Sequence, residues 1–320
     1  MVMRKLDPFL LSLIGAVTLA TVLPCQGIAT TVLEYLTDAC IMVMFFMQGL
    51  KLERRAIWEN MRNWKLQGLV LVCTFALFPS LGLGLHVVAP GLVEQSTWLG
   101  VLFLCCLPCA GQSSIALTSL ANGNIAASIC AATLSNIMGI FITPVLVSLV
   151  LHRHGVWSAQ AIGGIAVQLL LPFLAGQMFQ PILHKWAHRH KKLISITDRS
   201  SILLVVYTAF SHAVVEGIWR QLSLRHIATL IVVDTALLVS VLVVTLLVSR
   251  MAGFASRDEV SLILCGSKKS LASGVPMANV LFPASAAGFV ILPLILYHQI
   301  QLFLCTLIAR HYHNKHLADV

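Results

Sequence analysis

Charge is scarce in this sequence. Asp, Glu, Lys and Arg make up 10% of its 320 residues, and only 12 of those are acidic. A soluble globule of this length needs a charged surface, so that class is excluded. With 58% of residues hydrophobic and a mean hydropathy of +0.90, the chain reads as an all-α polytopic membrane protein in a lipid bilayer. No small-x-small cleavage site follows the apolar run after Arg4 and Lys5, so that run is expected to be an uncleaved first span. The nine cysteines are odd in number and lie mostly in apolar stretches, where they serve as small buried hydrophobes. Cys106-Leu-Pro-Cys109 has no second pair and no histidine at ligand spacing, so no zinc site, redox site or cofactor is expected.

The net charge of +9 comes from basic residues gathered in short loops, which is a topology signal and excludes a nucleic-acid partner. Apolar runs of spanning length fall at about 8–24, 30–50, 66–89, 97–121, 124–151, 158–181, 200–219, 226–250, 258–282 and 285–309, which makes ten spans. With the N-terminus inside, sixteen Lys and Arg residues lie on the cytoplasmic side. Arg153, Arg220 and Arg225 lie opposite, and Lys268 and Lys269 fall inside a span. Both termini are therefore expected in the cytoplasm, and the short loops point to a bacterial inner membrane. The His184, Lys185, His188, Arg189 and His190 tract fits a loop that contacts lipid headgroups better than a metal site.

Lys268 and Lys269 organise the rest. Each ammonium at that depth costs at least ~2.5 kcal/mol, so the pair marks a cavity rather than a lipid-facing surface. Gly266, Gly274 and Pro276 flank them and are expected to loosen the ninth span. Leu107-Pro-Cys-Ala-Gly-Gln-Ser-Ser114 interrupts the fourth span in the same way. Each broken span runs at once into the next, and with five spans in each half the second half (153–320) is inverted relative to the first (1–152). Paired broken spans in inverted halves point to the midplane site of a secondary transporter. The lysines have three functional readings. They tether the break by bonding carbonyls of the fourth span, bind an anionic substrate group, or exchange protons. The plain alternative places them nearer the surface.

Gly111-Gln-Ser-Ser-Ile-Ala-Leu-Thr-Ser-Leu-Ala-Asn-Gly-Asn-Ile-Ala-Ala-Ser128, Gly139-Ile-Phe-Ile-Thr-Pro144 and Gly266-Ser-Lys-Lys-Ser-Leu-Ala-Ser-Gly-Val-Pro-Met277 resemble the bile acid:sodium symporter family. The likeness extends over nearly the whole chain. It is strongest to the SBF-like branch that holds the seventh member of vertebrate solute-carrier family 10. The resemblance implies ten helices in two inverted five-helix repeats, with helices 4 and 9 unwound and crossing. A core of helices 3–5 and 8–10 would move against a panel of 1, 2, 6 and 7, with an organic anion bound between them. It also implies that Ser114 and Ser128 stand where the family has ion-binding hydroxyls. Ile115 and Ala132 replace an asparagine and a threonine, although Thr133 is adjacent. Leu264-Cys-Gly-Ser-Lys268 replaces a Glu-containing stretch, and Lys268 falls at or beside a glutamine of the second ion site. Sodium needs several oxygens, whereas an ammonium repels it. A lysine ammonium is thus expected as a built-in cation, with Ser114, Ser128, Thr133 and Lys268 forming the ion or cation-mimic site. Sodium coupling is put in question, and the coupling ion is Na+ or H+.

The candidate substrate and crossover residues are Gln112, Ser113, Ser114, Ser267, Lys268, Lys269 and Ser270. Interhelical hydrogen bonding is the plain reading of the serines and Gln112. Asp234 in the eighth span needs a partner, and a lysine of the ninth is the expected one. His212 and Glu216 lie one turn apart, and Asn122-Gly-Asn124 reads as a helix-ending turn. The sequence thus points to a symporter-type secondary transporter of an organic anion, bile-acid-like or a smaller carboxylate, working by alternating access as a monomer or weak homodimer. The rival readings are a non-transporting regulator of ion homeostasis and an intramembrane Ser–Lys hydrolase built from Ser267 or Ser270.

Overall fold

The computed structural model describes residues 8–51, 63–151, 166–217 and 223–318. Arg4, Lys5, Arg54, Arg55, Arg62, Arg153 and Arg220, on which the expected orientation partly rests, lie outside them. In order come α1 (Pro8–Val22), α2 (Ile28–Lys51), α3 (Trp64–Val72), a π-helical turn (Cys73–Leu77), α4 (Phe78–Val88), α5 (Gln95–Cys106), α6 (Gly111–Leu120) and α7 (Ile125–Leu151). A second π turn (Ala166–Leu170) leads into α8 (Leu171–Arg189), followed by α9 (Lys191–Val215), α10 (Leu224–Met251), α11 (Ser256–Gly266), α12 (Leu271–Leu281) and α13 (Ala284–Ala318). Among the described residues, extended pairing is confined to one isolated bridge.

Among the described residues, six helices are long and apolar enough to cross a membrane: Ile28–Leu50, Trp64–Val88, Ile125–Leu151, Lys192–Val215, Leu224–Met251 and Ala284–Lys315. The other four expected spans contain shorter apolar helices, Leu11–Val22, Thr97–Cys106, Val167–Leu183 and Leu271–Leu281. Large apolar side chains such as Val232, Val243 and Leu247 stay exposed on α10 while Asp234 is buried. That inversion of the soluble pattern is what a lipid solvent requires.

Contacts sort these helices into two compact units. One holds α1, α2, α8, α9 and residues 275–291. Its α2 and α8 touch backbone to backbone at Gly49 and Gly176. A Cβ on Gly49 would meet the Phe173 carbonyl, and one on Gly176 the Phe46 carbonyl. Small residues allow this approach, and Gln177 Nε2 uses it to donate to the Gly49 carbonyl. The Thr37 and Thr208 hydroxyls pair at 2.9 Å across the buried face of α2 and α9. The Nε2 of His212 lies 2.9 Å from the carboxylate of Glu34 on α2, so its acidic neighbour is Glu34 and not Glu216.

The other unit holds α3 to α7, α10, α11, residues 271–274 and α13 from 292 onward. Asn122 ends α6 with a left-handed φ of 56°, as expected of a helix-ending turn. The turn is fixed to the start of α11: Asn124 Nδ2 donates to Asp258 at 2.7 Å, and Ser261 Oγ to the Asn124 carbonyl at 2.9 Å. Gly123 passes so close to α11 that a Cβ there would lie 2.8 Å from Val260.

Candidate functional site

The site lies where α5 stops before α6 and α11 stops before α12, all within the second unit. Pro108 has no N–H, and Leu107 is extended, so α5 cannot continue. The interruption leaves the last carbonyls of α5 without their helical partners. The amide of Cys109 goes to Ser135 Oγ at 2.9 Å, and the amide of Ala110 to the Lys268 carbonyl at 3.3 Å. In exchange, the Ser270 amide donates to the Pro108 carbonyl at 2.9 Å, so Cys109 and Lys269 form an antiparallel bridge. Thr143 Oγ1 takes up the Cys106 carbonyl at 2.8 Å.

Lys269 takes up the rest. It is fully buried, and its Nζ donates to the carbonyls of Cys105 at 2.8 Å, Leu107 at 2.7 Å and Thr74 at 2.8 Å. The first two belong to the C-terminal end of α5, where the helix dipole favours a cation. The third is free because of the π turn. Phe78 N–H bonds back five residues to Cys73, so the Thr74 carbonyl would fall to Pro79, which has no N–H. The ammonium also sits 4.0 Å from the ring centroid of Phe78. Gln301 of α13 clasps the backbone of Lys269, accepting from its amide at 2.8 Å and donating to its carbonyl at 2.9 Å.

Lys268 behaves differently. It is equally buried, but its Nζ has no hydrogen-bond partner. The thiols of Cys109, Cys265 and Cys305 are its electrostatic neighbours. The ammonium that ligates carbonyls is therefore Lys269, whereas the sequence reading put the built-in cation at Lys268. Ser114 Oγ donates to the Leu264 carbonyl at 3.0 Å, closing the end of α11. Ser128 and Thr118 share a hydrogen bond at 3.0 Å. Thr133 is half-buried and has no part in these bonds. The hydroxyls of Ser114 and Ser128 are thus spent on other partners than the two ammonium groups.

Gln112 is exposed at the start of α6, and the next residue, Ser113, has a buried hydroxyl with no partner. Ser267 Oγ donates to the Ile263 carbonyl at 2.6 Å, and Ser270 Oγ to Ser273 Oγ at 3.2 Å. Neither hydroxyl bonds a lysine Nζ, so the Ser–Lys dyad of the hydrolase reading is not assembled. Asp234 is fully buried, and neither carboxylate oxygen has a hydrogen-bond partner. The expected pairing with a lysine is absent, because Lys269 has given its donors to carbonyls. Gly274 and Pro276 lie inside α12 and do not break it. Gly274 instead gives room: a Cβ there would lie 2.6 Å from Leu294 and would also run into Leu107.

Further members of the site are Asn136, which the sequence places close to it, and two groups that sequence reasoning missed, Tyr297 and the Thr74 carbonyl. Asn136 donates to the Cys109 carbonyl at 3.2 Å and accepts from Ser273 at 3.0 Å, joining α7 to both breaks. Tyr297 donates to the Ser267 carbonyl at 2.8 Å. The Thr74 carbonyl had one signal in the sequence, Pro79 within an otherwise apolar span. Among the described residues, no group of three or more His, Cys, Asp or Glu side chains is placed to hold a metal.

Comparison with known proteins finds relatives over nearly the whole chain. An uncharacterized protein of Pseudomonas aeruginosa is 47% identical over 311 residues, covering 97% of this chain and 93% of its own length. YfeH of Escherichia coli strain K12, whose name carries the word symporter, is 46% identical over 313 residues, with 98% and 94% covered. Sodium/bile acid cotransporter 7 of Danio rerio is 26% identical over 306 residues, with 92% and 90% covered. The SBF-like CPA transporter family matches residues 7–314. On that match and on the 46–47% relatives, this multi-pass membrane protein belongs to the SBF-like CPA transporter family and is a transporter rather than an enzyme.

Proposed function

We propose that the protein is a secondary active transporter that moves an organic anion, bile-acid-like or a smaller carboxylate, by alternating access. One observation carries the reading. Two interrupted helices exchange backbone hydrogen bonds at membrane depth, and a buried ammonium closes the bridge on three carbonyls. Irregular backbone of this kind is tolerated within a membrane only where protein buries it or a cavity needs it. Both α6 and α12 start at the bridge, and helix N-termini favour anions. Gln112, Ser113 and Ser270 stand at those starts and are the proposed substrate contacts.

The built-in cation of this proposal is Lys269. Its Nζ is held by three carbonyl oxygens at 2.7–2.8 Å, the kind of donor set that would suit a monovalent metal ion. An ammonium already in place removes the need for sodium there, although sodium stands in the name of the more distant relatives. The two contact units, one with α1, α2, α8 and α9 and the other with α3 to α7, α10 and α11, support the division into panel and core, except that residues 275–291 sort with the first. The same proposal includes ten spans in inverted halves, 1–152 and 153–320, with both termini cytoplasmic in a bacterial inner membrane. The protein would work as a monomer or weak homodimer.

Counterflow tests it. Purified protein in vesicles preloaded with unlabelled taurocholate, or with a panel of small carboxylates, should accumulate the labelled solute transiently. Uptake no faster than in protein-free vesicles across the whole panel would count against the transporter reading.

A further inference from the structure

Asp234 lies ten residues into the 28-residue α10, on the order of 15 Å from its N-terminal end. Leu230, Leu237, Leu238 and Val241 complete its buried stripe. Both carboxylate oxygens are without a hydrogen bond. Of the elements around it, α5 brings the Cys105 thiol and α13 the Tyr297 hydroxyl within electrostatic reach. Lys269 acts on the same Cys105 thiol. The helix α4 carries His86, which meets Trp98 edge to face, and the π turn carries Cys73. On α11 stand Arg257, Cys265, Asp258, which is held by Asn63 and Asn124, and Glu259, which is held by Tyr312.

A carboxylate can only accept hydrogen bonds, and here nothing donates to it. An ionised Asp234 would be an uncompensated charge away from water, so the neutral acid is the form that fits. Ionised, it would need a strong donor; the Cys105 thiol is a weak one, and the two strong donors, Tyr297 and Lys269, are already committed. Tyr297 gives its proton to the Ser267 carbonyl at 2.8 Å, and Lys269 gives its three to the end of α5 and to the π turn. Either donor could turn to Asp234 only by giving up a main-chain carbonyl beside the breaks.

We infer that Asp234 is a proton-binding site whose occupancy is coupled to the geometry of the two broken helices, and that this proton is the coupling ion of the transporter. On binding, a carboxylate oxygen forms an O–H bond with a proton from the aqueous side, and on release that bond breaks. No other covalent bond changes. The inference rests on the transporter reading for its transport half alone.

Infrared difference spectroscopy of the full chain in lipid vesicles tests the site. At neutral pH the wild type should show the C=O band of a carboxylic acid free of hydrogen bonds. The band should vanish in Asp234→Asn and move in Asp234→Glu. Asn mimics the neutral acid in shape, so the variant should melt with the wild type, and the Glu variant serves if it does not. Wild-type and Asn spectra that coincide in this region would overturn the site. For the transport half, labelled taurocholate or a small carboxylate should accumulate in wild-type vesicles along an imposed pH gradient. Asp234→Asn should lose that dependence, and wild-type accumulation indifferent to the gradient would overturn the coupling. Counterflow at equal pH reports on the transporter reading by itself. A protein silent there, but with the Asp234 band, loses that reading and keeps the proton site.

Discussion

Lys269 reaches the Thr74 carbonyl at 2.8 Å across 195 positions of sequence, joining the interruption of one helix to the π turn of another. The ammonium of its neighbour Lys268 has no hydrogen-bond partner. This difference yields the first prediction. Lys269→Met keeps the length of the side chain but strands three buried carbonyls, each worth about 1 kcal/mol or more. The variant should lose about 3 kcal/mol or more of stability, read as a lower thermal midpoint in detergent. Lys268→Met removes a buried charge that makes no hydrogen bond, so it should melt at or above the wild type. Equal destabilisation by the two would refute the assignment of the tether to Lys269.

Gln301 sets where that ammonium stands. Its amide group satisfies both backbone groups of Lys269, which the bridge leaves without helical partners. Gln301→Leu preserves bulk and leaves a buried N–H and C=O unpaired, a loss of about 2 kcal/mol or more. Gln301→Glu keeps the acceptor for the amide but puts an acceptor against the carbonyl, and it should be similarly unstable at neutral pH. The check is a thermal melt of each variant. A melt of Gln301→Leu matching the wild type would mean that the clasp carries no stability.

The interruptions themselves were legible because Pro108 and the two adjacent lysines cannot sit in an unbroken lipid-facing helix. Which lysine ligates was not. On a helix, neighbouring side chains diverge by about 100°, but residues 267–270 are non-helical, and in extended chain successive side chains point to opposite sides. Lys269 therefore faces the α5 carbonyls and Lys268 faces away. The π turn escapes a 3.6-residue pattern by nature, so the Thr74 carbonyl could be suspected only from Pro79. Asp234 was legible as a buried acid but not as an unpaired one, because its presumed partner had better acceptors in main-chain carbonyls. Gly274 was misjudged as a helix loosener because composition does not separate a breaking glycine from one that admits a neighbouring leucine.

The close approach of α2 and α8 gives a prediction independent of the bridge. Gly49→Ala and Gly176→Ala each place a methyl group against a backbone carbonyl, which cannot move aside as a flexible side chain would. Overpacking of this kind costs about 1–3 kcal/mol, so each variant should melt earlier. The two glycines face one another, so the double variant should cost less than the sum of the two singles. Gly68→Ala, where a Cβ meets nothing within 4 Å, is the control and should be neutral. Wild-type melting of both single variants would show that the helices part without cost.

Sodium is the last and most discriminating ligand to try. A cation that binds only the folded protein raises its apparent stability by RT ln(1 + [L]/Kd), so no substrate is needed to see it. With Lys269 in place, the three carbonyls are taken, and a metal ion brought beside the ammonium would be repelled. The wild type should therefore melt at the same temperature in sodium chloride and in choline chloride at equal ionic strength. In Lys269→Ala the oxygens are freed and the positive charge is gone, so sodium or potassium should restore part of the lost stability. Recovery of the variant in sodium, with no response in the wild type, would show the ammonium standing in for an ion. A sodium response already present in the wild type would mean that sodium binds elsewhere, and would bring sodium coupling back into the account.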